Sequence, residues 1–518
     1  MPPYQSPGVY VEEVAAGARP LEGAGTAIAA FIGLAEDGPF NVPTLVSNWT
    51  QFTTTFGGFV AGSYLAQSVY GYFMNGGGNC YVVRIGQNGA SSGPAPRSAR
   101  AKELAASPTA QVGRLKVTAL DPAASPGDVS VEITDPGGDS PSDDMFKLLV
   151  KVKGEVVEEF DRASFARGKQ NVVTMVNAVS KTVQLEDTGS GQAVRLASGE
   201  TALVAPVPPA AVPSTRLSPD DYVGDVSDRT GFGGLEAIED ITMLCVPDLM
   251  SAYQQGAIDL DQVQAVQLAM IAHCELMGDR VAILDAPPGM NAQQIKEWRV
   301  DKARYDSMYA ALYWPWVQTM NPATGQLAYM PPSGHIAGIW GRNDAERGVH
   351  KAPANEIVRG AIDLEINITR NEHDLLNPEG INVIRAFPGR GIRVWGARTL
   401  SSDPAWRYLN IRRLFNYLEK SILNGTNWVV FEPNDRALWA KIRRTIAAFL
   451  VMEWRAGALF GSTPDEAFYV KCDDETNPAE GIDAGQVVCE IGVAPVKPAE
   501  FVIFRLAQFS GGTSLVSE

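Results

Sequence analysis

No run in this chain approaches the roughly 18 uninterrupted apolar residues that a membrane-spanning helix requires, so direct membrane insertion is not expected. The opening "MPPYQSPGVYVEE" has neither a basic stretch nor an apolar one, so no secretory signal is expected and the chain is read as assembled in the cytoplasm. Cysteine is scarce: Cys80, Cys245, Cys274, Cys472 and Cys489 form an odd set without a CxxC pair. They read as buried, reduced thiols rather than a disulfide framework or a zinc site. The formal charge of −16 argues against a general nucleic-acid or anionic-membrane binder.

Signatures of catalysis are missing as well. No G-x-x-x-x-G-K-[ST] loop exists to cradle phosphates, and no G-x-S-x-G elbow exists to present a serine nucleophile. "GRGIRVWG" at 389–396 reads as a turn, because its glycines do not open a helix. The four histidines, His273, His335, His350 and His373, lack metal-ligand spacing. Glu372, His373 and Asp374 in "NEHD" point in different directions as neighbours and read as a solvated loop. Asp473-Asp474 reads as a polar loop. No catalytic, cofactor-binding or metal-binding residue is assigned, and weight moves from an enzyme towards a structural protein.

What is present is an ordinary globular composition, 45% hydrophobic and 20% charged, spread over 518 residues, too many for one core. The patterning predicts a multi-domain α/β (α+β) chain. Residues 1–23 form an N-terminal arm and 24–95 the first part of a core domain, with strands in "TAIAAFIGLAE" and "NCYVVRIG" around a helix capped by Ser47 or Asn48. Residues 96–215, rich in Pro, Gly, Ser and Ala with short alternating runs, read as an inserted, mainly β domain. Residues 216–375 alternate strands ("DITMLCVPDL", "DRVAILDAPPG", "YAALYWPWV") with helices, the pattern of a parallel sheet. Residues 376–518 carry two strong helices. The first is capped by Asp403-Pro404, buries Ile411, Leu414, Phe415, Leu418 and Ile422, and is stopped by Asn424-Gly425; the second starts near Asn434. A terminal hairpin of "QVVCEIGVAPV" and "AEFVIFRLAQF" is expected to follow.

Two features point outward. Residues 381–460 hold 13 Lys and Arg against five Asp and Glu, a local charge of +8 within an acidic chain. Arg412, Arg413, Lys441, Arg443 and Arg444 lie on or near the polar faces of the two helices, as either a solvated face or a dock for an acidic partner. The N-terminal "SPGVYVEEV" is a strand pattern with no local partner, followed by the loose "AAGARPLEGAG". A terminal strand pairs with an edge or frays.

Residues 377–422, "NPEGINVIRAFPGRGIRVWGARTLSSDPAWRYLNIRRLFNYLEKSI", resemble the contractile tail sheath proteins of phages, R-type pyocins and contractile injection systems. The resemblance is carried by Asn377, Gly380, Asn382, Gly391, Trp395-Gly396-Ala397-Arg398-Thr399, Trp406, Tyr408, Asn410 and Arg412-Arg413. It continues through "FEPND", "GALFG", "YVKCDDETNP" and "PAEFVIFRLAQ". It implies a subunit that polymerises helically, in stacked hexameric rings, around an inner tube. Baseplate and terminator proteins would close the ends. The sheath would contract from a metastable extended state without nucleotide or cofactor, in a phage tail or tail-like particle.

The resemblance further implies that the termini complete a small sheet on neighbouring subunits, with Val9, Tyr10, Val11, Glu12 and Val14 as one strand and Phe501, Ile503, Phe504 and Leu506 as acceptor or second donor. It places the C-terminal domain against the tube, making the five basic residues candidate tube contacts, and makes 96–215 an outward decoration. A static helical or shell assembly, and an α/β enzyme with an unrecognised site, are the alternatives.

Overall fold

In the computed structural model, the described residues are 21–86, 109–112, 115–119, 129–134, 145–165, 171–180, 182–187, 199–203, 217–322 and 324–503. The chain divides into two units, Gly89–Ala210 and the remainder.

The larger unit is built on an eight-stranded sheet. Its strands are β1 (Ala29–Gly33), β2 (Thr44–Val46), β3 (Cys80–Arg84), β4 (Met243–Cys245), β5 (Val281–Asp285), β6 (Ala310–Trp314), β7 (Ile381–Phe387) and β8 (Gly391–Val394). The spatial order is β8-β7-β6-β5-β4-β1-β3-β2. The six central strands run parallel, and β8 and β2 close the edges antiparallel. A parallel sheet has both faces covered, which is why its strands read as continuous apolar runs. Alternate residues feed two cores. Ala30, Ile32, Leu244, Ala282, Leu284 and Leu312 face one, and Phe31, Cys245, Val281, Ile283, Ala311 and Tyr313 face the other.

Four helices matter for the packing: α1 (Trp49–Phe56), α2 (Leu65–Met74), α3 (Leu260–Met277) and α4 (Ser333–Arg347). Helix α3 opens with an Asp259–Gln262 capping box and buries Val263, Val266, Met270 and Cys274 in the first core. Helices α1, α2 and α4 cover the second. Helices α2 and α4 approach through glycine: a Cβ on Gly334 would lie 2.3 Å from the Ser68 carbonyl oxygen, and one on Gly338 2.3 Å from that of Tyr72. Neither helix has its own side-chain N-cap. Buried aspartates on the core elements cap them instead. Asp285, ending β5, accepts from Ser333 N and Oγ at 2.9 and 2.6 Å. Asp248 accepts from Ser63 Oγ at 2.8 Å, from Leu34 N at 2.6 Å and from Tyr64 N.

Several boundaries differ from those expected. Strands β7 and β8 belong to the core sheet, because Leu312–Trp314 of β6 pairs with Ile381–Val383, so the C-terminal part begins near 400 rather than at 376. It is organised by helices α5 (Leu409–Thr426) and α6 (Arg436–Arg455). Asp403 caps a turn by accepting from Ala405 N at 2.8 Å, and α5 starts six residues later. Gly425 lies within α5 rather than ending it. The expected solvated loop at "NEHD" is a helix, Arg370–Leu376, capped by Thr369 with Glu372, and His373 is buried.

The unit Gly89–Ala210 is mainly β, its bounds displaced from the expected 96–215. A four-stranded antiparallel sheet (Gly199–Ala202, Val129–Thr134, Phe146–Val152, Glu155–Ala163) and a three-stranded one (Thr109–Val112, Leu115–Ala119, Val183–Asp187) enclose one core with the helix Val172–Val179. Val131, Ile133, Leu148 and Val150 meet Val117, Leu185 and Val176 there.

The buried caps give stability a pH dependence. Burial pushes the Asp285 carboxyl up to about 7 and that of Asp248 up to about 6, above their unfolded value of 3.8. The native state therefore favours the protonated acids, and their contribution is lost as pH rises through 6–7. The urea midpoint is expected to fall between pH 5 and pH 8, and Asp285→Asn, which can keep both Ser333 contacts, to flatten that slope. An unchanged slope in this variant would remove Asp285 as the cause.

Candidate functional site

The residues that carry the family resemblance gather into one anchor, at the junction of the core sheet with α5. Asn382 on β7 grips the backbone of residue 398 from both sides: its Oδ1 accepts from Arg398 N at 2.7 Å, and its Nδ2 donates to Arg398 O at 2.8 Å. Gly396 makes room, since a Cβ there would stand 2.9 Å from the Asn382 side-chain oxygen. Gly380 turns the chain into β7 at φ +75°. Thr399 donates its hydroxyl to Trp406 O at 2.7 Å, and Trp406 meets the Phe415 ring edge-on. Gly391 opens β8 at φ +76°, and the Trp395 ring packs at a tilt against Phe387, centroids 4.6 Å apart.

This anchor holds the C-terminal segment. Arg398, held by its backbone, reaches Glu500 through two hydrogen bonds of 2.9 and 2.6 Å. Asn377 and Tyr408 donate to the same carboxylate at 2.8 and 3.1 Å. Burial acts to raise the Glu500 carboxyl, but the bonds from Arg398 and Asn377 and the guanidinium charge outweigh it and hold it below the usual range. Asn410 of α5 donates to Val496 O at 3.1 Å and to His350 O at 2.7 Å. Immediately past Glu500, Phe501, Val502 and Ile503 are more than two-thirds exposed and outside any strand.

The other terminus is rooted on the same helix. Leu21 is buried with Leu414 and Leu418 of α5 and packs where a side chain at Gly425 would stand. Ala24 N donates to Ser421 Oγ at 2.9 Å. Beside α6 lies a two-stranded antiparallel sheet, β9 (Phe468–Lys471) with β10 (Glu490–Val493). The strand expected in "QVVCEIGVAPV" pairs with β9; most of its expected hairpin partner, "AEFVIFRLAQF", lies outside the described residues. Among the described residues no third strand joins this sheet, and Tyr469 and Phe460 beside it are exposed. Two strands alone are marginal in water, and open edges are templates for strand addition.

Of the sequence candidates, Phe501 and Ile503 are exposed. Val9, Tyr10, Val11, Glu12, Val14, Phe504 and Leu506 lie outside the described residues. The basic set divides. Arg412 and Arg413 are not available to a tube, being 2% and 4% exposed. Arg413 forms a two-pronged pair with Asp344 at 2.9 and 2.5 Å and lies over Trp340. Arg412 bonds Asn416 and Glu419 and lies over Trp406 and Tyr309. Arg443 is half-buried and donates to Cys472 O at 2.6 Å. Lys441 sits on the face of Trp428, and Arg444 is exposed. Sequence reasoning missed Glu500 and Asp344, the acids that neutralise Arg398 and Arg413; a spacing of 102 or 69 residues leaves no local trace.

Comparison with known proteins bears on this arrangement. Residues 225–400 match the phage tail sheath protein central domain and residues 401–509 the phage tail sheath C-terminal domain. The junction between these matches, Leu400 to Ser401, falls within the anchor, between Thr399 and its partner Trp406. The chain belongs to the contractile tail sheath protein family.

It is 24% identical over 395 residues to the tail sheath protein of Vibrio phage KVP40, covering 70% of this chain and 55% of the relative. It is 27% identical to a putative prophage major tail sheath protein of Pseudomonas aeruginosa, over 47% of this chain and 61% of that one. The matches thus span only about half to three-fifths of these relatives' lengths. In structure it is similar to the anti-feeding prophage helical sheath in its contracted state, with a TM-score of 0.58, 24% identity and coverage of 97% and 99% of the two chains. It is also similar to the PVC sheath complex of an extracellular contractile injection system in its contracted state, with a TM-score of 0.55, 21% identity and coverage of 98% and 99%.

The anchor carries a prediction. Arg398→Ala leaves Glu500 without its cation and is expected to cost about 2 kcal/mol in urea unfolding. It is also expected to speed amide exchange at Val496, which donates to Ala458 O. Exchange at wild-type rate would mean the segment is held by something other than this pair.

Proposed function

We propose that this chain is the repeating subunit of a contractile sheath, a structural and mechanical protein that polymerises helically around an inner tube and shortens to drive the tube into a target envelope. The observation that carries the reading is the pairing of two rooted termini with one open sheet. Leu21 and Glu500 are both fixed at the C-terminal part, apolar residues follow Glu500 unburied, and β9–β10 has no third strand among the described residues. Strands donated by neighbouring copies would fill such a sheet, backbone hydrogen bonds giving affinity and alternating side chains register. A contact of this kind is heterologous and need not close, so it propagates as an open helix. Residues 9–14 are the N-terminal donor, and the segment that includes Phe501 and Ile503, unpaired within the subunit, is the C-terminal one; β9–β10 takes the acceptor role.

The tube-facing role narrows to α6. With Arg412 and Arg413 consumed inside the subunit, Lys441 and Arg444, assisted by Arg443, are the residues left to meet an acidic tube. The energy for contraction resides in the difference between two packings of the same subunits, set at assembly. The partners are other copies of this chain, the tube protein, and baseplate and terminator proteins at the ends; assembly takes place in the cytoplasm, and the unit Gly89–Ala210 decorates the outside.

Negative-stain electron microscopy of the full-length protein beside a version lacking residues 1–20 tests the assembly. Striated hollow tubes from the first and dispersed subunits from the second are expected; compact particles from both would sink the reading. The tube contact is tested separately by co-expression with the tube protein. Lys441→Glu with Arg444→Glu is expected to abolish extended, tube-filled particles while leaving the sheath's own tubes. Normal extended particles would clear these residues of the role.

A further inference from the structure

The ladder of the small sheet pairs Phe468 with Val493, Val470 with Ile491 and Lys471 with Glu490. One step further along the same register brings Cys472 opposite Cys489. Side chains two apart share a face, and Phe468, Val470 and Cys472 on one strand and Val493, Ile491 and Cys489 on the other all pack on the core of α5 and α6. The two sulfurs therefore end a row of cross-strand pairs, and the thiols interact directly. Both are free thiols, Cys472 buried and Cys489 partly open to solvent. Directly opposed residues bring their Cβ atoms within about 4.5–5.5 Å, near the 3.5–4.5 Å that a disulfide spans. The backbone on the Cys472 side is held by Arg443, and Asn477 lies 3.8 Å from its sulfur.

We propose that Cys472 and Cys489 are a redox site: they close to a disulfide that staples β9 to β10 when the protein meets a low-molecular-weight disulfide such as oxidised glutathione. The Cys489 thiolate, the more accessible, attacks one sulfur of that disulfide and expels a glutathione thiolate, which takes up the proton Cys489 released. Cys472, losing its proton in turn, attacks the Cys489 sulfur of the mixed disulfide and expels the second glutathione. One sulfur–sulfur bond forms in the protein, and two electrons and two protons end on two glutathione thiols.

Burial pushes the Cys489 thiol up to about 12 and raises Cys472 too, with Arg443 opposing the rise and Glu490 and Asp473 supporting it. Closure is therefore slow at neutral pH and faster in alkali. The staple acts where it matters, since a two-stranded sheet is marginal on its own. Cys80, Cys245 and Cys274, buried in or beside the core sheet, lie in other packing clusters than this pair.

The test uses the full-length protein in glutathione buffers from reducing to oxidising, quenched by alkylation and mapped by mass spectrometry. A linked peptide joining Cys472 to Cys489 is expected as the dominant product from native protein, and absent from Cys489→Ser. Amide exchange in Phe468–Lys471 and Glu490–Val493 is expected to slow by about a hundredfold on oxidation of the wild type alone. Free thiols in oxidised native protein, or a glutathione adduct on Cys489 that never closes, would overturn the proposal. So would scrambled links shared with Cys80, Cys245 or Cys274. Tube formation is not used as a readout, so failure here leaves the assembly reading standing.

Discussion

A parallel sheet has no face to give to water, and the larger unit follows from that constraint. Six parallel strands need covering on both sides. Helix α3 with the helices Asp248–Gln254 and Ala292–Glu297 supplies one side, and α1, α2 and α4 the other. Space on the second side is short enough that α2 and α4 meet backbone to backbone at Gly334 and Gly338. Their N-termini, buried by this arrangement, take their caps from Asp248 and Asp285 on neighbouring elements. Burying an acid in a helix cap satisfies backbone donors and at the same time ties stability to protonation.

The edge of the sheet leads to the functional region. Strand β7 ends the parallel series, β8 turns back antiparallel, and the segment after it is clamped by Asn382. From that clamp Arg398 reaches a carboxylate near the other end of the chain. Several of the family-like residues are therefore an anchoring device: Asn382, Gly396, Thr399 and Trp406 hold residues 396–410 and, through Arg398, Tyr408 and Asn410, Glu500 and Val496. A half-buried carboxylate that accepts four hydrogen bonds from Arg398, Asn377 and Tyr408 is a stiff attachment.

Much of this was legible in the chain. The apolar runs at 29–33, 243–245, 281–285 and 310–314 announced strands, and the last three, alternating with helices, a parallel sheet, because hydrophobic pattern is local. The mainly β character of the insertion was legible for the same reason. The helix start at Leu409 was not, since Asp403-Pro404 is as good a cap for a turn as for a helix. Nor was the pairing of β10 with β9, because strand registry is chosen among distant segments. Residues 381–394 read as the opening of a new domain until their pairing with β6 assigned them to the old one.

The sequence by itself determined the class of fold, the motif of the anchor and the regional excess of positive charge, all of which depend on residues close in the chain. Only the tertiary structure decided which of those charges are spent inside the subunit. Arg412 and Arg413 look the same in sequence as Arg444, yet two are sealed against Asn416, Glu419, Asp344 and aromatic rings while the third faces outward. A guanidinium's role is set by whatever lies within a few ångströms of it, and for Arg413 and Arg398 those partners come from 69 and 102 residues away.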